Sequence, residues 1–185
     1  LIRLWQTATP DLVHELALAS LVRDLTFSRD GTRFAALRTP DEAIVWQVDQ
    51  WIVLRRIRGV SNMGPDLGSL DFSPNGEMLV IGDLHHRLRV FDINSGDTIF
   101  DVPEAHPEPI TRVAWSPDGL VIATGSGYAG GPIRLWEAAS GKPLGALEGH
   151  TSWISRLVFS ADSRRLYSAC ADQTIRIWDV GQQRC

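Results

Sequence analysis

A five-residue motif, made of an aromatic residue, a serine, two turn-forming residues and a small residue, returns four times along the chain. It reads Phe27-Ser28-Arg29-Asp30-Gly31, Phe72-Ser73-Pro74-Asn75-Gly76, Trp115-Ser116-Pro117-Asp118-Gly119 and Phe159-Ser160-Ala161-Asp162-Ser163, and its leading aromatics are 45, 43 and 44 residues apart. A second motif, alternating aliphatics that end in an aromatic, falls at Ile2–Trp5, Ala43–Trp46, Leu88–Phe91, Ile133–Trp136 and Ile175–Trp178. Its aromatics are 41, 45, 45 and 42 residues apart. Two motifs that keep step mark a repeated supersecondary unit. Such a unit cannot bury its hydrophobic face alone and must stack on its neighbours.

Within each unit the pattern is strand, tight turn, strand. In the last unit Ile154–Ser160 alternates and is β-rich, Ala161–Arg164 is a turn, and Arg165–Ala171 and Thr174–Val180 are further strands. Asp30-Gly31, Asn75-Gly76 and Asp118-Gly119 supply the positive-φ chemistry of hairpin turns. Ser95-Gly96 and Ser140-Gly141 mark another hairpin, followed by fourth strands at Thr98–Val102 and Pro143–Leu147. No segment reads as a helix. Four antiparallel strands in each period of this length is the arithmetic of a propeller blade. The predicted fold is therefore an all-β propeller of four-stranded antiparallel blades.

Gly149-His150, Ser168, Asp172 and Trp178-Asp179 together resemble the full signature of the WD-repeat (Trp-Asp repeat) β-propeller family. The resemblance runs along the whole chain, but only the last unit carries every mark. It implies that His150, Ser168, Asp172 and Trp178 form a hydrogen-bonded structural tetrad inside the blade. The chemistry suits that role: indole donates, hydroxyl and imidazole do both, and carboxylate accepts. The preceding unit keeps a partial tetrad, His106, Thr124 and Trp136, but its turn at Gly127–Gly131 has no Asp. One unit earlier, Ile81 stands at the hydroxyl position, His85 near the acid position and Phe91 in place of Trp. The unit before that has Ala36 and Trp46, with Asp41 offset by one residue. Apolar packing must hold those blades.

The chain divides into a partial blade of third and fourth strands (1–19), three blades (20–57, 58–102 and 103–147) and a blade without its fourth strand (148–185). About four and a half blades are too few for the family's usual ring, so the expectation is one propeller domain or a fragment of a larger one. Open sheet edges invite pairing, which leaves self-association as a second route to closure.

Composition narrows the function. With 18 Lys+Arg against 22 Asp+Glu the formal net charge is −4, which speaks against a general phosphate binder and so against nucleic acid. No stretch approaches the roughly 18 apolar residues of a membrane span. Cys170 and Cys185 are the only cysteines, which fits a reducing, cytoplasmic setting. Gly125-Ser126-Gly127-Tyr128-Ala129-Gly130 matches G-x-G-x-x-G, but Gly131-Pro132 and a strand follow where a dinucleotide site needs a helix. His85-His86, His106 and His150 lack the pattern of a metal site, no G-x-S-x-G elbow is present, and Cys170 reads as a buried inert thiol. Arg3, Arg89, Arg134 and Arg176 recur two residues before the aromatic of the third strand, a structural pairing position, while Arg55, Arg56 and Arg58 read as a solvated rim.

No cofactor, metal or catalytic set is expected. The family resemblance implies a non-catalytic protein- or peptide-binding scaffold, a sensor or regulatory propeller segment of a larger protein. The alternatives are a propeller enzyme with its catalytic groups on other blades and a nucleic-acid-binding propeller. Function on such scaffolds lies in loops. The candidate partner-binding rim comprises Trp153, Ser155, Pro109, Thr111, Asp66 and Arg23, with Trp153 as the aromatic anchor.

Overall fold

A computed structural model describes residues 1–60, 68–127 and 130–185. Every regular element among them is a β-strand. The strands run β1 (Ile2–Trp5), β2 (Leu12–Leu16), β3 (Val22–Phe27), β4 (Arg33–Arg38), β5 (Glu42–Gln47), β6 (Ile52–Arg58), β7 (Ser69–Phe72), β8 (Met78–Gly82) and β9 (Leu88–Asp92). They continue with β10 (Thr98–Val102), β11 (Ile110–Trp115), β12 (Val121–Ser126), β13 (Ile133–Glu137), β14 (Pro143–Leu147), β15 (Ile154–Phe159), β16 (Arg165–Cys170) and β17 (Ile175–Asp179). They form three four-stranded antiparallel sheets (β3–β6, β7–β10 and β11–β14), a three-stranded sheet (β15–β17) and a two-stranded one (β1–β2). These are propeller blades, numbered 1 to 5 from β1–β2, and they do not close into a ring. Their first strands, β3, β7, β11 and β15, lie side by side in that order.

Strand pairing in each blade rests on the repeated serine. Ser28, Ser73, Ser116 and Ser160 each accept the N–H five residues on at 2.9 Å. Each also donates to the turn carboxylate or amide oxygen of Asp30, Asn75, Asp118 or Asp162 at 2.6–2.7 Å. The hairpins then pass through a residue of positive φ: Gly31, Gly76 and Gly119, but Ser163 in blade 5, with φ 61°. A non-glycine residue is disfavoured there. Ser163 nevertheless makes a contact glycine cannot, accepting the Asp118 N–H of blade 4 at 2.9 Å.

The core lies in the seams between consecutive blades. Blades 2 to 4 turn a face of mostly smaller residues toward the next blade, which meets it with larger ones. Ala35, Ala43 and Val45 of blade 2 pack on Leu70, Phe72, Leu79 and Phe91 of blade 3. Val80 and Val90 of blade 3 meet Ile110, Trp115, Ile122 and Trp136 of blade 4. Ala114, Ala123 and Leu135 of blade 4 meet Leu157, Phe159, Leu166 and Trp178 of blade 5. β1–β2 lay Ile2 and Leu16 on Phe34, Ala36, Ile44 and Trp46. Two seams need a glycine: a Cβ on Gly82 would come within 2.3 Å of Ile110, and one on Gly125 within 2.6 Å of Ile154.

Burial of the hairpin serine sets its worth. Ser116 is wholly buried and Ser160 partly exposed. Ser116→Ala should lower stability in urea melts by about 1–2 kcal/mol, and Ser160→Ala should cost less because water can replace the lost acceptor.

Candidate functional site

Blade 5 brings the four tetrad residues into one chain of hydrogen bonds. Trp178 Nε1–H donates to Ser168 Oγ at 2.8 Å, and Ser168 Oγ lies 2.7 Å from His150 Nε2. His150 Nδ1 lies 2.7 Å from Asp172 Oδ2. The partners fix the directions: the serine hydroxyl donates to Nε2, so Nδ1–H donates to the carboxylate. Asp172 also accepts the Thr174 hydroxyl at 2.6 Å and the Thr151 N–H at 3.2 Å. The Thr174 hydroxyl above all, with His150 and backbone N–H groups, holds the Asp172 carboxyl well below the usual range. Cys170 donates to the Ser152 carbonyl at 3.1 Å, and burial pushes its thiol up, which makes it a poor nucleophile.

The connectivity of Ser168, His150 and Asp172 is that of a hydrolytic triad. The surroundings are not: Ser168 is 1% exposed and its oxygen already accepts the Trp178 indole. Attack on a substrate needs an open approach and donors for the developing oxyanion. This network is placed to lock strands together.

Each other blade locks itself differently. In blade 4, His106 Nε2 lies 2.6 Å from Thr124 Oγ1, which accepts Trp136 Nε1–H at 2.8 Å. Blade 3 replaces the tetrad with a buried ion pair, Arg89 to Asp83 at 2.9 Å, with the guanidinium over the Phe91 ring. In blade 2, Glu42 is buried and gathers Arg38, Arg56 and Arg58. Burial pushes its carboxyl up, but the arginines, Arg38 foremost, bring it net below the ordinary value. Arg56 and Arg58 stay solvated, with side chains 47% and 79% exposed, while pairing with Glu42 beneath them; Arg55 is bound to the Ile93 and Asn94 carbonyls. The sequence signal for the Glu42 lock was the acid at the head of a third strand opposite a basic fourth strand.

The repeated arginines take structural partners of three kinds: Arg3 and Arg89 pair with the carboxylates of Glu15 and Asp83, Arg134 with the Ala105 carbonyl, and Arg176 lies over Trp178.

The rim positions separate in the structure. Trp153 is 37% exposed, while the next residue, Ile154, is fully buried. Pro109 is half-buried. Arg23, Thr111 and Ser155 sit at β-bulges in β3, β11 and β15, where the ladder skips a residue. The bulge turns Thr111 inward, wholly buried, and its hydroxyl is spent on the Gly125 and Ile154 carbonyls. It offers a partner nothing, which removes it from the rim. Ser155 bonds the Ala169 carbonyl, and Arg23 is half-buried. Asp66 lies outside the described residues.

Sequence reasoning missed the inner wall. Asp24, Asp71, Arg112 and Arg156 line a small polar cavity between the first strands. Asp24 accepts Ser69 and Leu70 of the next blade, Asp71 accepts the Trp115 N–H, and Arg112 reaches the Ser155 carbonyl. Burial, with a smaller push from Asp24, raises the Asp71 carboxyl to about 6.

This arrangement of blades, serine-stapled hairpins and buried polar locks defines a propeller built from tetrad-type repeats. The family described as "WD domain, G-beta repeat" matches residues 98–137 and 141–179, which hold the last strand of blade 3, most of blade 4 and the strands of blade 5. Those two stretches are WD repeats, and blades 2 and 3 have the same four-stranded build as blade 4. It is 32% identical over 114 residues to echinoderm microtubule-associated protein-like 3 of Mus musculus, covering 60% of this chain and 12% of that one. It is 28% identical over 110 residues to apoptotic protease-activating factor 1 of Mus musculus (59% of this chain, 8% of the relative). It is 27% identical over 113 residues to the DDB1- and CUL4-associated factor 11 homolog of Caenorhabditis elegans (59% and 20%). The chain thus spans a fifth or less of each of these relatives. WD repeats form protein-interaction scaffolds.

Two tests follow from the geometry. Trp178→Ala should cost about 3–5 kcal/mol in urea melts, the scale of truncating a buried aromatic. Asp172→Ala should cost less, with a loss that is full above the ordinary carboxylate range and shrinks progressively as pH falls below it, because a depressed carboxyl stays ionised, and stabilising, to lower pH in the folded state. Between about pH 4 and 6.5, two buried groups oppose each other. Burial first, then the Arg134 charge, lowers His106 to about 3, so keeping it neutral makes stability climb as pH rises. Asp71, raised to about 6, must lose its proton in the same window and makes stability fall. Asp71→Asn should steepen the climb across this range, and an unchanged slope would show that Asp71 titrates as an ordinary carboxyl.

Proposed function

We propose that the chain is a non-catalytic protein- or peptide-binding segment of a larger WD propeller, acting as a sensor or regulatory module, with the loop before β15 as its contact. The observation that carries this reading is the contrast between two neighbours. Trp153 shows 37% of its surface beside the fully buried Ile154, in a loop fixed at both ends by His150 and β15. A rigidly framed, exposed aromatic is the usual anchor of a protein interface. The polar groups nearest to it that could do chemistry are committed to the blade lock.

The larger propeller is supported by the outer face of blade 5. Val158, Ile175 and Ile177 are 47%, 76% and 49% exposed there. Their register counterparts in blade 4, Ala114, Ile133 and Leu135, are buried under blade 5. An apolar face of this kind is suited to a following blade. The name of one relative fits an assembly role, since it is an associated factor of DDB1 and CUL4.

Trp153→Ala tests the contact. With Trp153 as an anchor, the melting temperature stays within about 2 °C of the parent and partner capture weakens by about 2 kcal/mol or more. A large loss of stability with binding intact would make Trp153 packing and end this assignment.

A further inference from the structure

Blade 4 contains a polar feature that its lock does not use. Among the described residues, His106 Nδ1 is buried with no hydrogen-bond partner, and the same is true of Ser126 Oγ. The two atoms belong together by register. Ser126 pairs with Ile110 as Cys170 pairs with Ile154, so Ser126 stands in blade 4 where Cys170 stands in blade 5. His106 likewise corresponds to His150, since each ring reaches the hydroxyl that takes the tetrad indole. In blade 5, His150 Nδ1, Cys170 Sγ and an Asp172 carboxylate oxygen lie within 4.8 Å of one another. The counterparts of the first two atoms therefore flank the position of a carboxylate, and the blade 4 turn from Gly127 to Gly131 contains no acid to fill it.

We propose that blade 4 is a carboxylate-binding site, in which an acid supplied from outside the chain takes the place Asp172 holds in blade 5. Donor chemistry favours it. Thr124 accepts the Trp136 indole, and of the two acceptors for its hydroxyl proton His106 Nε2 at 2.6 Å is far nearer than the Arg134 carbonyl at 3.5 Å, which leaves Nδ1–H as a donor. Ser126 supplies a second donor. Arg134, fixed on the Ala105 carbonyl at 2.9 Å, adds positive charge on the same histidine. A buried donor without an acceptor costs free energy, and a charged acceptor recovers more of it than a neutral one. Gly131 leaves the space beside Ser126 free of a side chain: a Cβ there would stand 3.0 Å from Ser126 Oγ. The neighbouring Gly130 lies against the Thr151 carbonyl, so the site adjoins the loop that carries Trp153. An acidic side chain of a bound peptide and a small free acid share this chemistry.

The test uses the chain itself, melted at pH 7 and constant ionic strength with sodium acetate replacing sodium chloride. Acetate should raise the melting temperature saturably, by about 3–5 °C at ten times its Kd. Acetamide should not. His106→Ala should abolish the rise, and Ser126→Ala should reduce it. If His106→Ala does not fold, Ser126→Ala and the proton resonance of His106 Nδ1–H, which shifts on binding, carry the test. A capped Gly-Asp-Gly tripeptide, with Gly-Asn-Gly as control, separates the sources. A response to tripeptide and acetate alike assigns the site to an acidic side chain, and a response to acetate alone to a small free acid. Identical melts in acetate and chloride, or an equal rise in both variants, would overturn the proposal and leave water as the partner of these donors. No protein partner enters the experiment, so its failure leaves the Trp153 assignment to its own test.

Discussion

The seam between blades is the constraint on which the rest depends. A four-stranded sheet has two faces, and neither can be left in water without losing the burial that drives folding. This chain meets the requirement by giving each blade two unlike faces. Phe34 and Trp46, Phe72 and Phe91, Trp115 and Trp136, and Phe159 and Trp178 face backward, toward the blade before. Mostly alanine, valine and glycine face forward in blades 2 to 4, with Leu135 beside them in blade 4. Bulk meets recess at every junction, so consecutive sheets approach closely enough for Asp24, Asp71, Arg112 and Ser163 to bond across.

Polar locks are secondary to that packing and are correspondingly varied. Blade 5 uses four residues in a chain, blade 4 three, blade 3 a buried arginine–aspartate pair and blade 2 a glutamate among three arginines. All of them join the second and third strands of a blade or the turn between these, and the blade 2 lock reaches the fourth strand as well. None is required by the strand ladder, which persists through all four. Satisfied buried networks specify one packing out of many, and any network that does so serves.

This division explains what could be read from the sequence. The period, the hairpin turns and the third and fourth strands were legible because they depend on local chemistry: alternation, Ser-x-Asp/Asn turns and Gly. The strands Thr98–Val102 and Pro143–Leu147 have the bounds the turn spacing indicates. The blade 5 tetrad was legible because its four residue types stand at a recognisable spacing. What escaped was decided by contacts between blades. Thr111 occupies a rim position by alignment, but a bulge turns it into the seam. Asp71 and Asp83 look like ordinary strand and loop acids until their burial is seen. Arg56 and Arg58 are solvated as expected, but the buried Glu42 they pair with was not foreseen.

Gly82 and Gly125 give this architecture an evolutionary grain. Each glycine exists to admit an isoleucine of the next repeat, Ile110 or Ile154, at a distance no other residue allows. The repeat as written in the sequence is therefore not the part that can be moved. A duplicated or transplanted blade would arrive with a recess shaped for a neighbour it had left behind. The exchangeable piece runs from the forward half of one repeat to the backward half of the next, and residues on either side of each junction have to change together.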